Sequence, residues 1–358
     1  MSNCASPQIN FQQVKEQWRT ATNGMKVRSL ANNSRRLCGG FFVLNEHGNA
    51  ATLGFCYEAY HKNYGITVAH LADYVDADGN VVRVGQVGGK LYAFDSDEPD
   101  ANGVHAQVEI GTIVSIDRAT DSMLFEVRPE VRIEPRVLNV SRGQNATFPE
   151  EAISIPPSPG QNGSSSTLFT TLAGFGAQRR RALGRVVGQI SSTEANSGIL
   201  EEDLCIQSFD PNDDNDESHA SGKVPLTDGG DCGMFLLDVY ANLWGMHHVL
   251  RYKGSTREYT SCCVPIKNIL EAPSHKEFFP QHKDSALLQS SPRIIRSSSL
   301  KENSQPALDD DCVVLNKPLT FKTKTKELAP YHQDYSHQPK LAKTKIVPLA
   351  PFGGNKAV

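Results

Sequence analysis

Residues 227–250 read TDGGDCGMFLLDVYANLWGMHHVL and combine a glycine-rich turn with two apolar runs. In the turn, Cys232 stands between Asp231 and Gly233 and follows Gly230 closely. Glycines beside a side chain let backbone N–H groups converge on one point, which suits the oxyanion of a tetrahedral intermediate. Cys232 is therefore a candidate nucleophile. The candidate oxyanion hole consists of Gly230, Asp231 and Cys232.

A nucleophilic cysteine needs a base and an acid that orients the base. His70 ends the apolar run ITVAH, and Asp121 begins the apolar run DSMLF. The chain order His, Asp, nucleophile is one of the orders in which catalytic triads occur. We therefore expect His70, Asp121 and Cys232 to form a triad. Asp117 is an alternative acid, although the start of the apolar run favours Asp121.

The rest of the sequence predicts an all-β fold. From residue 37 onward, short runs rich in β-branched and aromatic residues alternate with turn sequences such as NEHGN and DADGN. Many short strands without long helical periods between them are typical of a sandwich or barrel. The stretch IPPSPGQNGSSS at 155–166 separates two strand-rich halves, as a linker does. We expect paired β-barrels, with a site between them.

Composition shifts divide the chain further. A capping box and helical spacing predict a short amphipathic helix at 10–20. After residue 274 the apolar density falls, which predicts a flexible C-terminal extension. The predicted regions are an N-terminal helix and basic arm (1–36), a first barrel (37–154), an inter-barrel linker (155–166), a second barrel (167–274), a flexible basic linker (275–340) and a last segment (341–358).

The overall composition is that of a globular protein. The chain has 358 residues, 39% hydrophobic, with 36 basic against 40 acidic side chains and a net charge of −4. This balance excludes collagen-like, coiled-coil and wholly disordered chains. No apolar run reaches about 18 residues, so we expect no membrane span. We expect no secretory signal in the N-terminal residues and no disulfide framework among the 8 cysteines.

The net charge is unevenly distributed. Residues 1–36 carry six basic side chains against one acidic, and residues 275–358 carry thirteen against eight, so each flank has a charge of +5. Subtracting both flanks from the total of −4 leaves −14 on residues 37–274. The basic flanks and the arginines at 179–181 are candidate contacts for RNA phosphates. The acidic central region argues against strong general affinity for RNA.

The residues around the candidate nucleophile resemble the chymotrypsin-like cysteine proteases of positive-strand RNA viruses, the picornain or 3C-like family. The Gly-x-Cys-Gly motif of that family is similar to residues 230–233, and its Gly-x-His strand, about fifteen residues later, is similar to residues 245–247. His70 follows Ala69 as the family's catalytic His often follows Ala. The resemblance covers about residues 37–272 and implies a chymotrypsin-like double β-barrel.

This resemblance implies a cysteine endopeptidase that cleaves a viral polyprotein after Gln or Glu through a thioester acyl-enzyme. It requires neither a metal nor another cofactor. The His of Gly-x-His lines the S1 pocket in the family, which implies His247 as the S1 residue, assisted by Thr227. Strand alternation places the neighbouring His248 on the opposite face.

The sequence also predicts where such a protease cuts its own chain. Residues 287–290 read LLQS, with apolar residues before Gln289 and the small Ser290 after it. We expect cleavage between these two residues. The segment PKLAKTKIVP at 339–348 is similar to the start of picorna-like RNA polymerases, which implies that an adjacent viral polymerase begins at about 341–358.

Other functions stay open at this point. A cellular serine protease is disfavoured by Cys232 itself. A non-catalytic β-barrel, or an RNA-binding adaptor of the viral replication complex, would make the motif spacings coincidental. The preferred interpretation is a protease with the viral polyprotein as substrate and viral RNA as a weak partner, located in the host cell cytoplasm.

Overall fold

In the computed structural model, all the residues that the structure describes fall within Met1–Leu328. The described residues are 28–31, 35–75, 80–137, 171–177, 182–190, 199–200, 202–209, 222–238, 243–279, 312–314 and 319–327. Several predictions lie outside them: the helix at 10–20, the linker at 155–166, the arginines at 179–181, the cleavage site Gln289–Ser290 and the segment 341–358.

Almost all the regular structure of the described residues is β-strand. The first half contains β1 (Arg36–Gly39), β2 (Phe42–Leu44), β3 (Asn49–Thr52), β4 (Phe55–Ala59), β5 (Lys62–Val68), β6 (Tyr74–Val75), β7 (Val81–Arg83), β8 (Lys90–Phe94), β9 (His105–Asp117), β10 (Ser122–Val127) and β11 (Arg132–Val137). The second half contains β12 (Thr171–Gly174), β13 (Ala182–Gln189), β14 (Leu204–Ser208), β15 (Phe235–Leu237), β16 (Leu243–Lys253), β17 (Glu258–Pro265) and the helix α1 (Ile266–Glu271). Three short strands follow: β18 (Cys312–Val314), β19 (Leu319–Thr320) and β20 (Thr323–Lys326).

The first half closes into a barrel. Its antiparallel ladder runs β3-β2-β8-β9-β10-β5-β4. Leu53 and Gly54 join β3 directly to β4 and continue both ladders. The Leu53 amide donates to the Phe41 carbonyl (2.7 Å) and the Gly54 amide to the Ile66 carbonyl (2.8 Å). Because β3 and β4 are two halves of one bent segment, the sheet closes on itself as six strands.

The second half closes in the same way. Its ladder runs β15-β12-β13-β14-β17-β16, and β15 pairs with both β12 and β16. Each pairing in this ring is antiparallel. Alternate side chains fill each barrel, with Ile66 and Phe125 in the first and Leu236 and Ile206 in the second. The predicted all-β double barrel is confirmed.

The C-terminal region differs from the prediction. The strand β18 pairs with the end of β16, β19 pairs with β3, and β20 runs parallel to β9. The ring of Phe321 packs against Phe42 and Phe94, with centroids 5.4 and 4.9 Å apart. The prediction of a flexible linker over 275–340 is therefore wrong for 312–314 and 319–327. Two apolar residues, Leu319 and Phe321, are too few to form a core, but they complete one at the edge of the first barrel.

The boundary at residue 274 also moves. His275 is fully buried, and its two ring nitrogens lie 2.7 Å from Ser115 Oγ and 2.8 Å from Ser122 Oγ. The ring of Phe279 stacks on Tyr57 at 5.3 Å. Residues 275–279 follow the second barrel in the sequence but pack against the first barrel.

Candidate active site

The base and the acid predicted from the sequence are in direct contact. His70 lies in a 3₁₀ turn, Ala69–Ala72, that follows β5. Asp121 stands before β10 in the left-handed region, with φ +43°. Its carboxylate lies 2.7 Å from His70 Nδ1 and accepts a 3.0 Å hydrogen bond from the His70 backbone N–H. The two bonds fix both the position of the imidazole and its orientation.

The alternative acid, Asp117, is used elsewhere. One of its oxygens accepts hydrogen bonds from the Thr120 amide (2.9 Å) and hydroxyl (3.1 Å), and the other accepts one from Ser274 Oγ (2.7 Å). These bonds tie the turn before β10 to the segment after α1. Among the two candidates, Asp121 is the one that reaches His70.

The turn that carries Cys232 belongs to the second barrel but is fixed to the first. Gly230 and Gly233 adopt φ values of +87° and +96°, which glycine tolerates best. The Thr52 amide donates to the Cys232 carbonyl (2.7 Å), and Thr52 Oγ1 donates to the Gly230 carbonyl (2.9 Å). Since Thr52 ends β3, these bonds hold the cysteine against the barrel that carries His70.

The Cys232 thiol faces both the base and the second barrel. It donates to the His248 carbonyl at 3.3 Å and lies close enough to the His70 imidazole to affect its pKa. Burial opposes protonation of His70, but the Asp121 charge and the contacts with Asp121 and Cys232 outweigh it and raise the pKa of His70 well above its ordinary value. About a third of the His70 side chain, 36%, stays exposed, so an incoming substrate can reach it.

The backbone of the turn supports two of the three candidate oxyanion donors. The Asp231 amide already donates to the Asp228 carbonyl at 3.1 Å, and the Asp231 carboxylate accepts the Asp228 amide at 2.9 Å. The inclusion of the Asp231 amide in the oxyanion hole is therefore wrong. The amides of Gly230 and Cys232 have no hydrogen-bond partner in the part of the chain that the structure describes. They remain the candidate donors.

The two predicted S1 residues are buried and uncharged. His247 is 1% exposed, and its Nδ1 lies 2.7 Å from Ser261 Oγ. Burial and the nearby His248 and His70 lower the pKa of His247 to about 3, so its imidazole is neutral. Thr227 is 1% exposed, and its Oγ1 is buried with no hydrogen-bond partner among the described residues. A buried hydroxyl of this kind favours a polar ligand group.

Sequence reasoning missed one contact of the site. The ring of His248 lies 3.5 Å from Asp121 Oδ2 through Nδ1 and 2.7 Å from Asp203 Oδ2 through Nε2. Burial opposes protonation of His248, but both carboxylates raise its pKa to about 9. Strand alternation predicted that His248 turns away from His247. Alternation predicts the face on which the His248 side chain lies but not its contacts with Asp121 and Asp203. Asp203 also lies in no sequence motif that would predict a functional role.

The described residues contain neither a membrane-spanning helix nor a cluster of metal ligands. No helix in that part of the chain is long and apolar enough to cross a membrane. No group of three or more His, Cys, Asp or Glu side chains in the same part is arranged to hold a metal ion.

Comparisons with known proteins add little to this geometry. No protein-family profile matches the chain, and no curated protein matches it. Solved structures match two thirds of it (66%) with TM-scores of 0.40. They include a Nocardiopsis protease (14% identity, 95% of that chain), Thermobifida fusca protease A (13%, 94%) and a Cellulomonas bogoriensis chymotrypsin (14%, 95%). Such low identities and TM-scores do not assign a family. The fold and the site by themselves define a two-barrel β-protein with a Cys–His–Asp cluster between its barrels.

Proposed function

We propose that this chain is a chymotrypsin-like cysteine endopeptidase that cleaves a viral polyprotein after Gln. The observation that carries the proposal is the 2.7 Å contact of His70 with Asp121, with the Cys232 thiol close enough to raise the pKa of His70, beside two backbone amides that have no hydrogen-bond partner among the described residues. A nucleophile, a base, an orienting acid and oxyanion donors in one place are the parts that acyl transfer requires.

The first half of the reaction forms the acyl-enzyme. His70 accepts the thiol proton, and its raised pKa makes the imidazole a stronger proton acceptor. The thiolate of Cys232 attacks the scissile carbonyl carbon, and the amides of Gly230 and Cys232 donate to the resulting oxyanion. The C–N bond then breaks as the His70 imidazolium protonates the leaving amine. Cys232 is left as a thioester.

The second half releases the acid. His70, now neutral, accepts a proton from a water molecule as that water attacks the thioester carbonyl. Collapse of the second tetrahedral intermediate breaks the C–S bond, and the His70 imidazolium returns its proton to the Cys232 sulfur as the carboxylic acid leaves. Asp121 keeps the imidazole in one tautomer through both halves. The thiol donates to the His248 carbonyl in the structure, and in the reaction its proton passes to the neighbouring His70 imidazole instead.

Specificity for Gln over Glu is supported by the charge state of the two S1 residues. A neutral His247 and the Thr227 hydroxyl, which has no hydrogen-bond partner among the described residues, can bond to a carboxamide without burying a net charge. A Glu carboxylate would have to be desolvated there, or would have to force a proton onto His247. We expect peptides with Gln before the scissile bond to have a higher kcat/KM than the matched Glu peptides at neutral pH.

Cleavage of a peptide corresponding to residues 284–294, DSALLQSSPRI, tests the catalytic proposal. We expect cleavage between Gln289 and Ser290 by the wild-type chain, and loss of at least about 1000-fold in kcat/KM for Cys232→Ala and His70→Ala. Asp121→Asn should lose about 1000- to 10,000-fold in kcat because the tautomer of His70 is no longer held.

Asp117→Asn is the matched control, because it removes a carboxylate four residues away that does not reach His70. It should keep kcat within a few-fold of wild type in protein that is shown to be folded. A wild-type chain that leaves Gln and Glu peptides uncut, or an Asp117→Asn variant that loses as much as Asp121→Asn, would contradict the proposal.

The viral setting rests on the resemblance of the motifs and stays a prediction. It includes the polyprotein substrate, the adjacent polymerase after residue 341, a weak contact of the basic flanks with viral RNA, and the host cell cytoplasm. The part of the proposal that concerns acyl transfer does not depend on it.

A further inference from the structure

A second carboxylate lies behind the candidate triad. Asp203, just before β14, is fully buried, and His248 is 2% exposed. Asp203 Oδ2 lies 2.7 Å from His248 Nε2 and also accepts the Leu200 amide at 2.9 Å. The backbone of Asp203 is fixed as well, since its carbonyl accepts the Ile190 amide at 2.8 Å. This carboxylate is thus held rigidly in the second barrel.

The contacts continue without interruption to the nucleophile. His248 lies between Asp203 in the second barrel and Asp121 in the first, with its two ring nitrogens 2.7 and 3.5 Å from their carboxylates. Asp121 in turn bonds to His70, whose pKa the nearby Cys232 helps to raise. The carbonyl of His248 accepts the Cys232 thiol at 3.3 Å, so His248 touches the triad at both ends.

A bulge in β16 puts His248 in this position. The register of β16 against β17 shifts between His247, opposite Cys263, and Val249, opposite Cys262. His248 is the extra residue. A bulge re-aims the side chain that it carries, and bulges occur often beside active sites. Here the bulge separates the neutral His247 from the His248 ring that lies between two carboxylates.

The charges around His248 require a cation at its position. The carboxylates of Asp121 and Asp203 face its ring, and the His247 imidazole is an electrostatic neighbour. The Cys232 thiol meets its backbone carbonyl, and the His70 imidazole is bonded to the same Asp121 carboxylate. Two buried carboxylates are costly unless a cation is paired with them. His247 is neutral, so among these groups only His70 and His248 can supply positive charge.

We propose that Asp203 and His248 form a positioning pair, in which Asp203 holds a protonated His248 against Asp121 and so fixes the Asp121 carboxylate on His70. This inference rests on the proposed peptidase function and adds two residues to its machinery. The pair moves no proton in the reaction. The His248 cation neutralises part of the charge of Asp121. The backbone carbonyl of His248 accepts a hydrogen bond from the Cys232 thiol before the reaction.

Asp203→Asn tests the pair through kcat and its pH dependence. The amide cannot stabilise the His248 cation, so His248 loses its proton nearer neutrality. We expect kcat to fall about tenfold to hundredfold at pH 7.5 with KM within a few-fold of wild type, because a small misplacement of the base slows the chemical step. In wild type, we expect the pH profile of kcat to fall at alkaline pH with a midpoint near pH 9. In Asp203→Asn, this midpoint should move down by at least one pH unit.

His248→Gln tests the same pair from the other side. The Gln amide can still donate to either carboxylate but cannot carry a charge. We therefore expect kcat to fall by a similar factor, and the fall of the kcat pH profile near pH 9 to disappear. Glu202→Gln is the matched control, since it removes the exposed carboxylate next to Asp203 and should leave both readouts unchanged.

A third measurement needs no variant in the pair. Histidine-selective ¹⁵N NMR of the Cys232→Ala chain should show an imidazole that keeps its proton up to about pH 9 and whose signal is lost in His248→Gln, which distinguishes it from His70. If either variant is too unstable to assay, this titration decides, and a His248 that titrates near 6.5 overturns the proposal. Folded variants with wild-type kcat and an unchanged alkaline midpoint of its pH profile overturn it too. A wild-type chain without peptidase activity contradicts the proposed function instead. In that case, the NMR titration of His248 alone tests the proposed pair.

Discussion

At the scale of single residues, Gly233 shows how closely the nucleophile turn approaches the first barrel. A Cβ atom at this position would collide with the Thr52 carbonyl oxygen and lie 2.7 Å from Thr67 Oγ1. Its φ of +96° also strains any residue with a side chain. The missing side chain lets Thr52 bond to Cys232 and thereby sets the distance from the thiol to His70.

Gly233→Ala should therefore destabilise the chain more than an ordinary left-handed Gly→Ala change. We expect a loss of about 2–4 kcal/mol in the free energy of unfolding by urea, from backbone strain together with overpacking. Gly88→Ala is the control, because Gly88 has a φ of +91° but no atom of the described residues within 4 Å of its Cβ position. It should lose only about 1–2 kcal/mol. Equal losses at the two positions would show that the turn does not depend on close contact with Thr52.

The sequence identified the reacting residues better than the residues that support them. Cys232, His70 and Asp121 each stand at the junction of an apolar run and a turn, which is a local signal. Asp203 and His248 have no such signal, because their roles come from a bulge and from a contact between the barrels. Local sequence likewise does not distinguish Asp117 from Asp121 with certainty, because the distinction depends on which carboxylate contacts the distant His70.

At the scale of elements, the strands β19 and β20 bring a remote part of the chain to the first barrel. The Phe321 amide donates to the Gly48 carbonyl (2.9 Å), and the Phe321 ring lies against Phe42, Phe94 and His105. The composition of this region predicted disorder because few of its residues are apolar. The few that exist are placed where the barrel edge already offers an apolar surface.

Phe321→Ala should therefore lower the stability of the whole barrel. Full burial of a Phe side chain is worth about 3–5 kcal/mol against Ala, and Phe321 is only partly buried, so we expect a loss of about 2 kcal/mol. The measurement is the midpoint of thermal unfolding. Lys322→Ala, which truncates the next, exposed side chain, should leave the midpoint within about 1 °C. An unchanged midpoint for Phe321→Ala would mean that these strands do not stabilise the barrel.

At the scale of the whole molecule, buried histidines make stability depend on pH in two directions. Burial lowers the pKa of His275 to about 4, below its unfolded value of about 6.5. The folded state therefore loses stability as pH falls from about 6.5 to 4, because the unfolded chain takes up the proton first. His247 acts in the same direction, down to about pH 3. His248 acts in the opposite direction, since its folded pKa is about 9 and its contribution disappears as pH rises through that value.

We therefore expect a maximum of the unfolding free energy near pH 6.5–7, with a decline on both sides. Each proton taken up or lost changes the stability by about 1.4 kcal/mol per pH unit. Urea unfolding between pH 4 and 9 measures this curve. His275→Gln should reduce the slope of the curve below pH 6.5 by about 1.4 kcal/mol per pH unit, the contribution of one proton. The slope on the alkaline side should stay unchanged. A stability that rises steadily from pH 6.5 down to 4 would contradict the assignment of His275 and His247 as buried and neutral.

The sequence by itself determined the all-β class, the two barrels and the three residues proposed to react. These follow from signals within a few neighbouring residues, namely alternation, turn residues and the glycines around Cys232. Only the tertiary structure decided that Asp121 is the residue that bonds to His70, that the Asp231 amide is already engaged, that His248 meets Asp203, and that the chain after residue 311 completes the first barrel. Each of these depends on pairing between residues far apart in the chain, and a local pattern does not specify the distant partner.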